Sequence, residues 1–178
     1  MRVFISDLSA YNKGHLVGKW IQLPLSSFEL SQSILGILSD AQEVCGSTGH
    51  EEVFITDYEA DILINEHDDI YALNDIAKVM DNYSEHDLLK FKFLSYEGYN
   101  QSEVLENGID YYEIEIHDYS NDNSFTDVYE LLAYDLVQEG LFGDVPDNFK
   151  NYIDYSSIGR DLSYDYVEYE HGMLGRIV

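Results

Sequence analysis

The sequence predicts an α+β fold: two small mixed sheet-plus-helix units flanking a short helical unit. Apolar residues alternate with a period of two near both ends of the chain and recur at helical spacing through its middle. The composition is that of a folded body, with 45% hydrophobic residues, 16 Tyr and 8 Phe in 178 positions, whereas disordered acidic tails lack such residues. The expected boundaries are an N-terminal α+β unit at 1–65, a helical middle unit at 66–109 and a C-terminal α+β unit at 110–178. No internal repeat is evident, and Pro24 and Pro146 stand at segment edges.

Val3 to Leu8 reads as a strand, Asn12-Lys13-Gly14 as a turn, and Leu16 to Leu23 as a second strand stopped by Pro24, which cannot continue a central ladder. Ser26-Ser27-Phe28-Glu29 has capping-box spacing ahead of the apolar set Phe28, Leu30, Ile34, Leu35 and Leu38. Glu52 to Ile64 returns to strand character. From about Asn65 to Asn107 the pattern is helical, with Ile70, Leu73, Ile76, Ala77 and Met80 on one stripe and Leu88, Leu89, Phe91 and Phe93 on the next. Ser84 and Ser102 are its candidate caps.

Tyr111 to Asp118 alternates as a half-buried strand, placing Tyr112, Ile114 and Ile116 inward and Glu113 and Glu115 outward. Ser124 to Asp127 reads as a helix start. Val128, Leu131, Leu132 and Leu136 form its buried stripe, with Asp127, Glu130 and Gln138 opposite, until Gly140 ends the helix. Tyr164 to Glu170 and a short strand ending at Val178 complete the second sheet.

Charge narrows the function. The 35 Asp and Glu against 9 Lys and Arg give a formal net charge of −26, far beyond the roughly 2 to 8 units that suffice for solubility. DNA and anionic membranes repel such a chain, so the expected partner is basic, with no nucleic acid and no membrane among its ligands. Between Glu103 and His171 only Lys150 and Arg160 oppose 18 acids. Duplex DNA carries one charge per 1.7 Å of axis, so 26 charges match about 44 Å of duplex. Salt adaptation also gives acidic surfaces, but there aromatic content usually falls, whereas Tyr164-Asp165-Tyr166-Val167-Glu168-Tyr169-Glu170 interleaves broad rings with acids. Such rings can stack on arginine side chains of a DNA-binding groove; alternatively they are core residues with the hydroxyl at the rim.

Catalytic and cofactor signatures are missing. Neither G-x-x-x-x-G-K-[ST] nor G-x-G-x-x-G follows a strand, the six histidines never fall in H-E-x-x-H spacing and each reads as a surface or packing residue, and the single Cys45 reads as structural. Asp118, Ser120 and Asp122 imitate half a calcium loop, yet Asn123 stands where Gly is needed and Tyr129 where the bidentate Glu belongs. A turn explains the run. With 35 acids, a carboxylate pair at glycosidase spacing is inevitable and uninformative. No enzyme, no cofactor and no metal are expected. No segment reaches the roughly 18 apolar residues of a membrane span, and no signal peptide is read at the start, so a cytoplasmic protein is expected.

Leu8-Ser9-Ala10-Tyr11-Asn12-Lys13-Gly14-His15-Leu16-Val17-Gly18-Lys19-Trp20, then Pro24, resembles the opening of the ArdA antirestriction proteins of conjugative elements and phages. Tyr129 to Gly143 (YELLAYDLVQEGLFG) resembles the family's antirestriction motif, and Asn151 to Tyr155 with Gly159 to Leu162 resembles the segment that follows it. The resemblance implies an elongated homodimer, curved like bent B-form DNA, that binds the DNA-binding groove of type I restriction-modification enzymes. It also implies a dimer contact at or near Gly140, Leu141, Phe142 and Gly143. From the residues alone that turn is a helix C-cap with a hydrophobic clasp.

The expected DNA-phosphate mimics are acids on exposed strand or helix faces: Glu52, Asp57, Asp61, Asp110, Glu113, Glu115, Asp127, Glu130, Asp135, Asp165, Glu168 and Glu170. The rival expectation is an acidic chaperone or assembly factor that shields a basic DNA-binding protein.

Overall fold

The computed structural model describes residues 1–122, 124–140 and 143–178. It divides into two compact units, Met1–Ile109 and Asp110–Val178. Among the described residues each unit carries one antiparallel three-stranded sheet with helices, an α+β architecture as expected.

In the first unit β1 (Arg2–Asp7) runs between β2 (Gly18–Gln22) and β3 (Val53–Glu59). Alternation sends Val3 and Ile5 to one face, where Ile21 and Ile55 stand opposite them. All four are buried under helix α2 (Ser27–Cys45), which contributes Leu30, Ile37 and Ala41. The capping box forms as expected: Ser26 Oγ accepts the Glu29 amide, and Glu29 Oε2 accepts the Ser26 amide. The expected apolar face needs correction, since Phe28 and Leu35 are 73% and 56% exposed. Leu8 also leaves the strand. Asp7 Oδ1 accepts the Ala10 amide at 2.6 Å and starts the short helix α1 (Leu8–Asn12), which strand alternation hides. The same oxygen lies 2.7 Å from His50 Nδ1, and both side chains are fully buried.

Strand β3 stops at Glu59 rather than Ile64, although Ile62 and Ile64 remain buried. Three helices complete the unit: α3 (Ile70–Met80), α4 (Glu85–Tyr96) and α5 (Gln101–Asn107). Ile70, Leu73, Ile76 and Ala77 are buried along the anticipated stripe of α3. Buried Asn74 clamps this helix to the segment just ahead of α2, accepting the Leu25 amide at 2.7 Å and donating to its carbonyl at 3.0 Å. Ser84 caps α4 as expected, whereas α5 is capped by Asn100, which accepts the Glu103 amide, and not by Ser102.

In the second unit β6 (Met173–Ile177) lies between β4 (Ile114–Asp118) and β5 (Val167–Glu170). Helix α6 (Val128–Gln138) buries Leu131, Leu132 and Leu136, and Leu132 and Leu136 form a core cluster with Tyr166 and Leu174. Fully burying a leucine such as Leu132 stabilises by roughly 1.5–3 kcal/mol. Asp127, not Ser124, is the N-cap of α6; the Ser124 hydroxyl instead serves Asp122. The strand expected from Tyr164 begins only at Val167. Ahead of it lie two unexpected helices, α7 (Asp147–Lys150) and α8 (Tyr155–Leu162).

Helices α6 and α8 meet at Gly159. A Cβ there would lie 2.8 Å from the Tyr129 carbonyl carbon and oxygen and 2.9 Å from the Glu130 amide nitrogen, all backbone atoms that cannot swing aside. Gly159→Ala is therefore expected to force the helices apart and destabilise the second unit by about 1–3 kcal/mol, the usual range for overpacking. Thermal melts of the two proteins check this.

Self-repulsion in so acidic a chain opposes compaction. Part of the answer is that acids start helices. Asp7, Asp69, Asp127 and Asp154 are N-caps whose carboxylates accept amides of the first turn, where the positive end of the helix dipole favours negative charge.

Candidate functional site

The twelve acids expected to stand in for phosphates occupy both units. In the first, Glu52 precedes β3, Asp57 lies within it and Asp61 follows it, all exposed. Asp61 carries a long ion pair, 3.6 Å from Lys92 Nζ. In the second, Asp110 sits in a 3-10 turn, Glu113 precedes β4, Asp127 caps α6, Asp165 precedes β5, and Glu168 and Glu170 lie on β5; these six are exposed. Glu168 Oε1 accepts the Gly172 amide at 2.9 Å, which fixes the strand-turn geometry around it.

The other three acids, Glu115, Glu130 and Asp135, are half-buried. Register sets Glu115 opposite Arg176, whose Nε and Nη2 donate to its two oxygens at 2.9 and 3.0 Å, while the Tyr166 hydroxyl donates at 2.7 Å. Arg176 also lies 4.7 Å over the Tyr166 ring. Sequence reading missed Arg176, because a pairing across 61 positions leaves no local trace. Burial, with Asp135 on α6 adding to it, raises the Tyr119 hydroxyl well above its ordinary range.

The tyrosines of the 164–170 stretch divide. Tyr164 is 83% exposed, whereas Tyr166 and Tyr169 are 1% and 8% exposed, so the last two are core residues. Burial pushes the Tyr169 hydroxyl up to about 12.

Hydrogen bonds keep several carboxylates ionised. Serine hydroxyls hold Glu29, Asp87, Asp122 and Asp154 below the usual carboxylate range, and the Arg176 side chain does so for Glu115. For Glu115 the sign is definite: with a folded pKa below the ordinary 4.5, its contribution to stability is present above that value. It is lost as pH falls through the depressed one. Glu115→Gln is expected to flatten the acid limb of the stability curve below about pH 4.5, measured by urea titration across pH.

The half-loop at Asp118 is a pair of turns. Asp118 Oδ1 accepts the Ser120 amide and hydroxyl, and Asp122 Oδ1 accepts those of Ser124. Among the described residues no group of three His, Cys, Asp or Glu could hold a metal ion, and no helix is long and apolar enough to cross a membrane.

Of the expected dimer contact, Gly140 and Gly143 adopt positive φ of 80° and 90° just beyond α6, and the Gly143 amide donates to the Gly140 carbonyl at 2.9 Å. Leu141 and Phe142 lie outside the described residues.

Comparison with known proteins supplies the remaining constraint. A comparison with curated sequences finds no match. A model of the antirestriction protein (ArdA) family matches residues 3–174, spanning both units and the helical segment that carried no resemblance of its own. The chain belongs to the ArdA antirestriction family.

Proposed function

We propose that the protein protects incoming DNA, as cargo of a mobile genetic element, by occupying the DNA-binding groove of type I restriction-modification enzymes. Exposed carboxylates take the place of phosphates; the action is inhibition by occupancy in the cytoplasm and not catalysis. The observation that carries this reading is that nine of the twelve expected mimic acids are exposed on the sheets, turns and caps of two folded units, in a chain of net charge −26. A groove lined with lysine and arginine to bind a phosphate ladder offers these acids the same counter-charges. The three-part organisation and a homodimer formed through residues 110–178 belong to the proposal. Gly140, Leu141, Phe142 and Gly143 would lie at or near the dimer contact.

Competition tests it. The full-length protein should displace a labelled duplex from a type I enzyme and block cleavage. Neutralising Asp165, Glu168 and Glu170 one after another should weaken it stepwise, each change by less than about 1 kcal/mol, as for surface ion pairs. Absence of competition with the duplex, or equal binding to isolated basic domains without a groove, would overturn the reading; the second result would favour the chaperone alternative.

A further inference from the structure

We propose that Ser47 is an activated nucleophile, served by the buried His50–Asp7 pair, that accepts an acyl group from small uncharged esters. This inference stands apart from the proposed inhibition. Ser47 Oγ lies 3.2 Å from His50 Nε2, and His50 Nδ1 lies 2.7 Å from Asp7 Oδ1. That is the order in which nucleophile, base and orienting carboxylate must stand.

The chemistry at the two ends constrains the hydrogen bonds between them. Lys13 Nζ, 3.0 Å from Ser47 Oγ, can only donate. The Asp7 carboxylate, whose Oδ1 already accepts the Ala10 amide, can only accept. When His50 donates from Nδ1 to Asp7 as a neutral ring, its lone pair lies on Nε2, where it can accept the Ser47 proton. Lys13 meanwhile steadies negative charge growing on Oγ.

Exposure is divided as the chemistry needs. The side chains of His50 and Asp7 are wholly buried, while Ser47 is only partly buried. Its turn carries Gly46 and Gly49 at φ 60° and 92°, and a Cβ added to either would meet nothing within 4 Å. An electrophile can reach the hydroxyl from solvent while the base stays dry. Among the described residues Asp7 Oδ2 is buried with no hydrogen-bond partner, a feature that a purely structural clasp does not require. The net charge of −26 repels anionic donors, and an open turn favours short acyl groups.

In the step, Oγ bonds to the ester carbonyl carbon as its proton passes to Nε2. The carbon–oxygen bond to the alcohol then breaks, and the alcohol leaves with that proton. Water repeats the sequence on acyl-Ser47, releasing the carboxylic acid and restoring the hydroxyl.

The test treats the full-length protein with p-nitrophenyl acetate, follows p-nitrophenolate release and maps acetyl groups by peptide mass. Ser47 should acetylate on the order of 10²-fold faster in the folded chain than in the same chain in urea, the scale of general-base assistance. Ser47→Ala should remove the fast phase while leaving inhibition of restriction intact, and folded His50→Gln should lose the enhancement. Acetylation of Ser47 at the unfolded rate, acetyl groups at other residues in its place, or an unchanged rate in His50→Gln would each overturn the proposal. The comparison of folded with unfolded wild type decides the matter even if the His50 variant does not fold.

Discussion

Binding of the protein to a type I enzyme, measured directly and without DNA, is expected to weaken by about 10³-fold between 50 and 200 mM salt, near the low end of the range for proteins that touch six to ten phosphates. The groove's lysines and arginines must release their own anions, and the acids their cations, so ion release drives association. Carboxylates spaced over a folded surface condense fewer counterions than a continuous phosphate ladder, which places the expectation at the low end. On the proposed mechanism single acids matter little, because nine exposed acids would share the load. A change of less than about tenfold over the same interval would mean that few ion pairs form, and occupancy of a DNA groove would have to be abandoned. Binding in the absence of the duplex matters, since in a competition the salt dependence of the duplex would mask that of the inhibitor.

Asp7→Ala should cost about 2–4 kcal/mol, the largest loss expected from a single carboxylate in this chain. Two roles end together. The N-cap of α1 disappears, for which about 1 kcal/mol is usual, and His50 Nδ1 is left buried without its acceptor, for which about 1–3 kcal/mol is usual. Both partners have side-chain exposures of 0%, so water cannot easily replace the lost oxygen. In a urea titration the midpoint should fall while the slope holds. Glu52→Ala makes a fair control, since Glu52 is exposed and only its backbone carbonyl, the acceptor of the Leu8 amide, is engaged. A loss for Asp7→Ala no greater than for this control would show that the pair is not a structural clasp.

Local rules were legible where one competing interpretation existed. The serine–glutamate spacing at 26 and 29 led to a real capping box, and the alternation of Val3 and Ile5 led to a central strand. Where two series satisfied the same rule, pattern could not choose. On α2, Phe28 and Leu35 are seven residues apart, as are Leu30 and Ile37, and only the sheet beneath decides that the second pair is buried. Ser102 and Asn100 are equally good caps on paper, and so are Ser124 and Asp127; a hydroxyl already held by Asp122 settles the latter. Helix α8 escaped although Tyr155, Ile158 and Leu162 recur at helical spacing, because the run is short and its fully buried residue is a glycine. For the mimic acids, sequence could say which alternate outward but not which meet a cation from a distant strand. Glu115 satisfies the outward rule and is nevertheless engaged by Arg176.

The use of aspartates as helix starters bears on how such a protein can drift. Substitutions that neutralise Asp165 or Glu170 trim the electrostatic reach of the molecule and remove no amide partner, so selection sees them chiefly through the strength of inhibition. Replacement of Asp69, Asp127 or Asp154 removes an amide partner from a first turn and is screened by protein turnover whether or not any restriction enzyme is present. A lineage that no longer meets such enzymes should therefore bleach unevenly, shedding its free acids first while its helix-starting ones persist.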